Sequence, residues 1–288
     1  MFLINKLNAT MGAEIRGLDL SAPLSGDLVT LLLQAYSQYQ LLLFKDQQIT
    51  SDQFIAFSKL FGELRMHPNP TFVKFCLPDQ PSVLILSNIV ENGNPIGLAG
   101  AADRWHSEGS YNEYPGKATL LHSIEVPEQG GDTLFADQYT AYNDLTADIK
   151  HTIASLYAWH SYVQDYERMR DQNPNRPKLT GDSLAQVQPC LHPIVIAHPI
   201  TNKKCLYINE TYTTHIEGMP AAESKDLLKY LLNHSTQLKY QYCHKWQSRD
   251  IVLWDNCSLL HRATDTLPQY RRRLNRTTIK GVSLTQAL

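Results

Sequence analysis

His106 and Glu108, one residue apart in Asp103-Arg-Trp-His-Ser-Glu108, and His261 in Leu259-Leu-His-Arg-Ala263 constrain this chain more than any other residues. Two imidazoles and one carboxylate are the ligand set with which a protein holds Fe(II) on one face and leaves other positions open. To share an ion, segments far apart in sequence must meet. That argues against two independent domains and for one domain spanning residues 1–288. Read as a strand, 106–108 would turn both side chains to one side, because alternate strand residues share a face. His261 comes after an apolar strand, Ile251-Val-Leu-Trp254, and the turn-forming pair Asp255-Asn256.

An H-x-E pair alone is a common pattern in a chain with eleven histidines. His151, His215, His234 and His244 read as surface or helix histidines, and His192 and His198 flank a strand beside prolines. The arginine-rich segment downstream of His261 sets this histidine apart. Arg271-Arg-Arg-Leu-Asn-Arg276 has the composition of a solvated basic run. As a strand it places Arg272, Leu274 and Arg276 on one face and Arg271, Arg273 and Asn275 on the other. Arginines on an interior face near a cationic metal are costly without anionic partners. A guanidinium grips carboxylates and sulfonates in bidentate fashion. The pattern suggests a carboxylate cosubstrate with one end on iron and the other on arginine.

The rest of the chain reads as many strands with a few inserted helices. Gly12–Leu20 alternates as a half-buried strand; Ser25 can cap a helix through Leu28, Leu31, Leu32 and Ala35. Leu41–Phe44 is a buried strand, and Ser51 can cap a second helix through Phe54, Phe57 and Leu60, stopped by Gly62. Val83–Leu86 and the segments 117–126, 132–136, 192–198, 204–209, 250–254 and 274–280 have strand chemistry. Helices are expected near 146–157, with Thr146 as cap, and near 220–233. Exposed loops are expected at 88–102 and 171–183. A strand-rich chain of this kind suggests a β-sandwich or jelly roll.

Composition narrows the function classes. A net charge of −2 gives no general pull toward nucleic acid or anionic membrane, which makes a nucleic-acid demethylase an unfavoured reading. No apolar run approaches a membrane span, and the N-terminal residues lack the apolar core of a signal peptide. Five scattered cysteines without C-x-x-C fit a reducing cytoplasm, the expected location.

These residues resemble the taurine dioxygenase (TauD/TfdA) family of Fe(II)- and 2-oxoglutarate-dependent dioxygenases. The similarity runs through Gly12–Leu20, Phe61-Gly-Glu-Leu64 with His67-Pro68, Trp105–Glu108, Gly130–Phe135, His198-Pro199, Trp254-Asp-Asn256, His261–Ala263 and Arg272–Ile279. The resemblance implies a mainly β fold with α elements, a double-stranded β-helix (jelly roll) with flanking helices. It implies Fe(II) on His106, Glu108 and His261, with 2-oxoglutarate as cosubstrate and molecular oxygen as oxidant. It implies that Thr133 and Arg272 hold the distal carboxylate of 2-oxoglutarate, and that Arg276 assists there or, with His67, contacts the substrate. The expected reaction is hydroxylation or oxidative cleavage of a small anionic substrate such as a sulfonate, carboxylate or amino acid, with release of succinate and CO2. A homodimer or homotetramer is compatible with it.

Two departures stand out. The family's usual metal carboxylate is Asp, whereas this chain has Glu108, and Ala101-Ala102 replace a polar stretch before Asp103. Glutamate keeps the charge and oxygen donors, which argues against a halogenase with a position freed for chloride. Trp105, Phe135 and Trp254 are expected either as apolar walls of the site or as core aromatics. The competing class is a non-oxidative cupin-like metal enzyme or a ligand-sensing metal protein, because fold alone does not settle function.

Overall fold

Leu41-Leu-Leu-Phe44 and Ile251-Val-Leu-Trp254 carry no polar alternation, as expected of strands covered on both faces. The computed structural model describes residues 2–66, 70–100, 102–172, 178–185 and 187–287. The chain begins with β1 (Leu3–Lys6), β2 (Ala13–Arg16), α1 (Gly26–Tyr39), β3 (Leu41–Phe44) and α2 (Ser51–Lys59). It continues through β4 (Cys76–Leu77), β5 (Gln80–Ser87), the hairpin β6 (Val90–Glu91) and β7 (Asn94–Pro95), β8 (Gly116–Glu125) and β9 (Thr133–Asp137). A mixed section holds α3 (Gln138–Asn143), α4 (Ala147–Ile153), β10 (Tyr157–His160), α5 (Tyr162–Gln172) and α6 (Gly181–Ala185). It goes on with β11 (Cys190–Pro193), β12 (Val195–Ala197), β13 (Lys204–Leu206), β14 (Thr213–Ile216) and α7 (Ala221–Ser235). β15 (Gln241–His244), β16 (Ile251–Asp255), β17 (Leu259–Ala263), β18 (Arg273–Lys280) and β19 (Thr285–Gln286) complete it.

Eight strands form one sheet, ordered β1-β2-β3-β16-β8-β18-β5-β4, and β15-β9-β17 form a smaller one. From the large sheet, Leu41, Leu43, Leu121, Val252, Trp254 and Leu274 pack against Phe135 and Leu259 of the small sheet. Their neighbours Leu42, Phe44, Leu120, Ile251 and Leu253 turn the other way, onto Leu32, Ala35 and Tyr36 of α1 and Phe54 and Phe57 of α2. Period-two alternation thus feeds two cores, one between the sheets and one under the helices. The result is a jelly roll, mainly β, with helices flanking it. A further core joins α3, α4, β10, β12 to β14 and α7, with Ala287 near the C-terminus. No helix among the described residues is long and apolar enough to cross a membrane.

Ser25 caps α1 and Thr146 caps α4, as the sequence suggests. The cap of α2 is Thr50 rather than Ser51. Gln53 returns a bond to the Thr50 backbone, and this reciprocal box satisfies two otherwise orphan donors. The strand expected over 192–198 is broken at Ile194 into β11 and β12, which belong to different sheets. The expected 171–183 loop is shortened by α5 running through Gln172 and α6 starting at Gly181, and 173–177 lie outside the described residues.

The turn from β16 to β17, which aims His261, is built around Asp255. Its Oδ1 accepts from the Cys257 N–H (2.8 Å), the Ser258 N–H (3.0 Å) and the Ser258 hydroxyl (3.1 Å). Its Oδ2 accepts from the Tyr36 hydroxyl (2.7 Å) and from His198 Nε2 (3.0 Å). His198 Nδ1 accepts the Ile200 and Thr201 N–H groups, so its proton sits on Nε2 and points at Asp255. Burial would raise the Asp255 pKa, but His198, Tyr36 and the Ser258 N–H outweigh it and hold the carboxyl below its usual value.

A carboxyl with a lowered folded-state pKa contributes stability that is complete above its unfolded value and lost as pH falls through the folded one. Asp255→Asn is therefore expected to cost about 3 kcal/mol at neutral pH. The wild-type advantage should shrink as pH falls below about 4. Thermal melts of both proteins across that range check this; an advantage independent of pH would contradict it.

Candidate metal centre

His106 and His261 are backbone partners before they are side-chain partners. The His106 N–H donates to His261 O (3.0 Å) and the His261 N–H to His106 O (2.9 Å), an antiparallel bridge. The two rings lie with centroids 4.0 Å apart. His261 gets its orientation from β17, which pairs along its length with β9. The sequence suggests a single strand carrying both His106 and Glu108. Instead, only His106 is bridged, and Glu108 opens a turn. The turn is held by Gly116 N–H to Glu108 O (3.0 Å) and Asn112 N–H to Gly109 O (3.0 Å). Gly109 has φ +72°, and a Cβ there would lie 2.7 Å from Arg65 Nη1, so glycine suits both the conformation and the close approach. The two-residue spacing still delivers its result: one ligand atom each from His106, Glu108 and His261 lies within 4.8 Å of the others.

The charge states suit a divalent cation. His106 Nδ1 donates to Arg104 O (2.9 Å), which fixes the tautomer and leaves Nε2 as the lone-pair nitrogen. Burial holds the His106 pKa below its usual value against the opposing pull of Glu108. Burial, then the nearby His106 and Arg276, push His261 well below it. Both rings are thus neutral imidazoles, the form that ligates. His261 Nδ1 is buried with no hydrogen-bond partner among the described residues. Glu108 Oε2 accepts from Arg276 Nη1 (2.8 Å), with the two side chains only 13% and 16% exposed. Donor set, burial and protonation all fit Fe(II).

A second group, His198, Asp255 and Cys257, meets the same distance limit. Its carboxylate and imidazole are engaged in the bonds that build the β16–β17 turn, so it is a structural network.

Beside the triad lies a cavity of about 320 Å³ lined by His106, His261, Thr133, Trp254, Arg272 and Arg276. Thr133 opens β9, and its Oγ1 accepts from Trp246 Nε1 (3.0 Å). Arg272 immediately precedes β18. Its backbone is fixed by Asn88 Oδ1 (2.9 Å) and Ser87 Oγ (2.8 Å), and its Nε donates to Gly131 O (3.0 Å). Gly131 has φ +67°, and a Cβ there would sit 2.9 Å from Arg272 Cδ. Burial, opposed by Asp132, lowers the Arg272 pKa to about 10, so it remains cationic at neutral pH.

The alternation expected for the arginine run holds for these residues. Arg272 and Arg276 line the cavity and Leu274 lies in the inter-sheet core, while Arg271 is exposed and paired with Glu125 and Glu91.

Of the three aromatics, Trp254 lines the cavity. Phe135 is core beneath His261, and Trp105 packs on Ala136 and Leu260, away from both cavities at the triad. His67, expected at the substrate, lies outside the described residues. Adjoining the larger cavity at His106 and Arg276 is a smaller one of about 80 Å³, lined by Glu108, Tyr111, Tyr212 and, from α5, Tyr162, Asp165, Tyr166 and Met169. Sequence reasoning misses α5, although these residues fall at helical i, i+3, i+4 and i+7 spacing. The helix is amphipathic, but its face toward the site carries tyrosine, aspartate and methionine in place of aliphatic residues, so it lacks the apolar stripe by which the other helices are read. It misses Trp246 as well.

His106→Ala and His261→Ala are each expected to abolish specific Mn(II) binding measured by calorimetry, with an unchanged fold by circular dichroism. Retention of wild-type affinity in either variant would refute the assigned ligands.

Comparison with known proteins adds to this geometry. The family model described as taurine catabolism dioxygenase TauD, TfdA family matches residues 3–278. The chain is 34% identical over 265 residues to the (S)-phenoxypropionate/alpha-ketoglutarate-dioxygenase of Sphingobium herbicidovorans, covering 91% of this chain and 89% of that protein. It is 28% identical over 284 residues to the alpha-ketoglutarate-dependent sulfate ester dioxygenase of Pseudomonas putida, covering 96% and 89%. The crystal structure of AAD-2 in complex with Mn(II) and N-oxalylglycine superposes with a TM-score of 0.82 at 29% identity, covering 100% of this chain and 99% of that one.

Proposed function

This chain belongs to the taurine catabolism dioxygenase (TauD, TfdA) family and is a 2-oxoglutarate-dependent dioxygenase, and we propose that it oxidises a small organic anion at an iron centre held by His106, Glu108 and His261. One observation carries the reading: a single cavity is lined by the two histidines of the triad, His106 and His261, and by Thr133 and Arg272. A dicarboxylic 2-oxo acid needs both, a metal for its chelating end and a fixed cation for its distal carboxylate. A non-oxidative jelly-roll metal enzyme has no use for the second. The chain is proposed to act as a single domain, since its ligands come from segments that pair directly with each other.

In this reading Arg272 and Thr133 share the distal carboxylate. Because Thr133 Oγ1 already accepts from Trp246, its own proton is directed to an acceptor other than that indole. Trp246 therefore orients the hydroxyl that Thr133 donates. Iron, when bound, supplies the oxygen chemistry in which 2-oxoglutarate and O2 become succinate and CO2 while the substrate C–H becomes C–OH. The protein orders the components and holds the target carbon close. Arg276 borders both cavities at the triad, a position suited to an anionic group of a substrate lying against Tyr111 and Tyr212. The relatives named for phenoxypropionate and sulfate esters act on small anions, which supports the same class here.

Arg272→Ala removes a charge-assisted contact worth about 1.5–3 kcal/mol. The KM for 2-oxoglutarate should rise roughly ten- to a hundredfold. Trp246→Phe should raise it by about fivefold and add little once Thr133 is Val, since both act through one hydroxyl. A normal KM in Arg272→Ala would sink the assignment. Succinate release from Fe(II)-loaded protein with sulfonates, alkyl sulfates, aryloxy acids and amino acids tests the function. At least one class should stimulate release above the substrate-free rate; stimulation by none would contradict the proposal.

A further inference from the structure

Glu108 is one methylene longer than the aspartate usual at its position, and its Oε2 accepts from Arg276 Nη1 at 2.8 Å. Retracting the carboxylate by one C–C bond, about 1.5 Å, would carry it out of hydrogen-bond range of a guanidinium that did not follow. Arg276 is poorly placed to follow. It lies within β18, paired to Leu84 of β5 on one side and Leu121 of β8 on the other, inside the eight-stranded sheet. Glu108, by contrast, stands in a turn just past the bridged His106, with no strand pairing of its own. A ligand on an irregular segment therefore meets a post held in a sheet.

We propose that Arg276 is a positioning residue for the metal ligand, holding Glu108 by Oε2 and so setting the reach and orientation with which its carboxylate meets the ion. The proposal rests on Glu108 being a ligand, and it adds a role that the anion-binding reading of Arg276 does not contain. A guanidinium has five N–H donors in a fixed fork, so giving one to Glu108 is compatible with engaging a substrate anion through others.

The effect has an unambiguous sign. A guanidinium close to a divalent cation repels it, so if Arg276 served only anions, removing it would leave metal affinity unchanged or improve it. If Arg276 fixes the ligand, removing it weakens the metal, as losing outer hydrogen-bond partners of ligands does, by roughly ten- to a hundredfold.

The test is Mn(II) binding by calorimetry, without 2-oxoglutarate or substrate, with the visible spectrum of the Co(II)-loaded chain as a second readout. Arg276→Met, which keeps an apolar stem and loses every donor, should weaken Mn(II) binding by roughly ten- to a hundredfold and alter the Co(II) spectrum. Arg276→Lys, which keeps a cationic donor, should stay within about threefold of wild type. Glu108→Asp should weaken binding, and Arg276→Met should add almost nothing in that background, because the hold is already lost.

Unchanged or tighter binding in Arg276→Met, or full additivity with Glu108→Asp, would overturn the proposal. Failure of the wild-type chain to bind Mn(II) would instead overturn the metal reading on which it rests.

Discussion

Two backbone hydrogen bonds between His106 and His261 tie the first half of the chain to its last third, and the candidate site depends on them. They set the spacing of the imidazoles before either side chain chooses a rotamer. On one side the bridge continues into β17, which β9 holds in register; β9 in turn begins at Thr133. On the other side it hands the chain to the turn that carries Glu108. The Asp255 network fixes the approach to β17 from β16, so a buried carboxylate outside the candidate triad contributes to aiming His261. Sites on strands are more precise than sites on loops, and here the elements that must be precise, β9, β17 and β18, are strands.

Around that bridge the electrostatics divide the site. Neutral, buried imidazoles and a carboxylate make the candidate metal face. Arg272, cationic despite its burial, stands in the wall of the same cavity. Arg276 lies where the two cavities and Glu108 come together, so one side chain touches both the candidate metal ligand and the space proposed for an anion. There its guanidinium is paired with the Glu108 carboxylate.

Much of this is legible in the residues. The apolar runs at 41–44 and 251–254 announce strands covered on both faces, and Ser25 and Thr146 announce helix starts. The triad is legible because its residue types are rare in combination and one pair is local. Other features are not. α5 is as amphipathic as α1, but its face toward the site is tyrosine, aspartate and methionine and its mean hydropathy is low, so few strongly apolar residues mark it. Thr50 displaces Ser51 as a cap because Gln53 completes a reciprocal box, a preference visible only once the three-residue spacing is counted. The pairing of Trp246 with Thr133 depends on β15 lying beside β9, and the ion pair of Arg276 with Glu108 on how far two side chains reach across the site. Sequence supplies residue types and spacing along the chain; approach across the fold comes only from packing.

The triad and Arg272 are proposed to act on one molecule, a metal-chelating 2-oxo acid. The most direct measurement is the visible absorption of the anaerobic Fe(II)-loaded chain as 2-oxoglutarate is added. A new charge-transfer band is expected that saturates with 2-oxoglutarate, is absent when succinate replaces it, and is lost in His261→Ala. A protein that binds Fe(II) through these ligands yet develops no such band at saturating 2-oxoglutarate would contradict the account and point to a non-oxidative metal protein on the same fold.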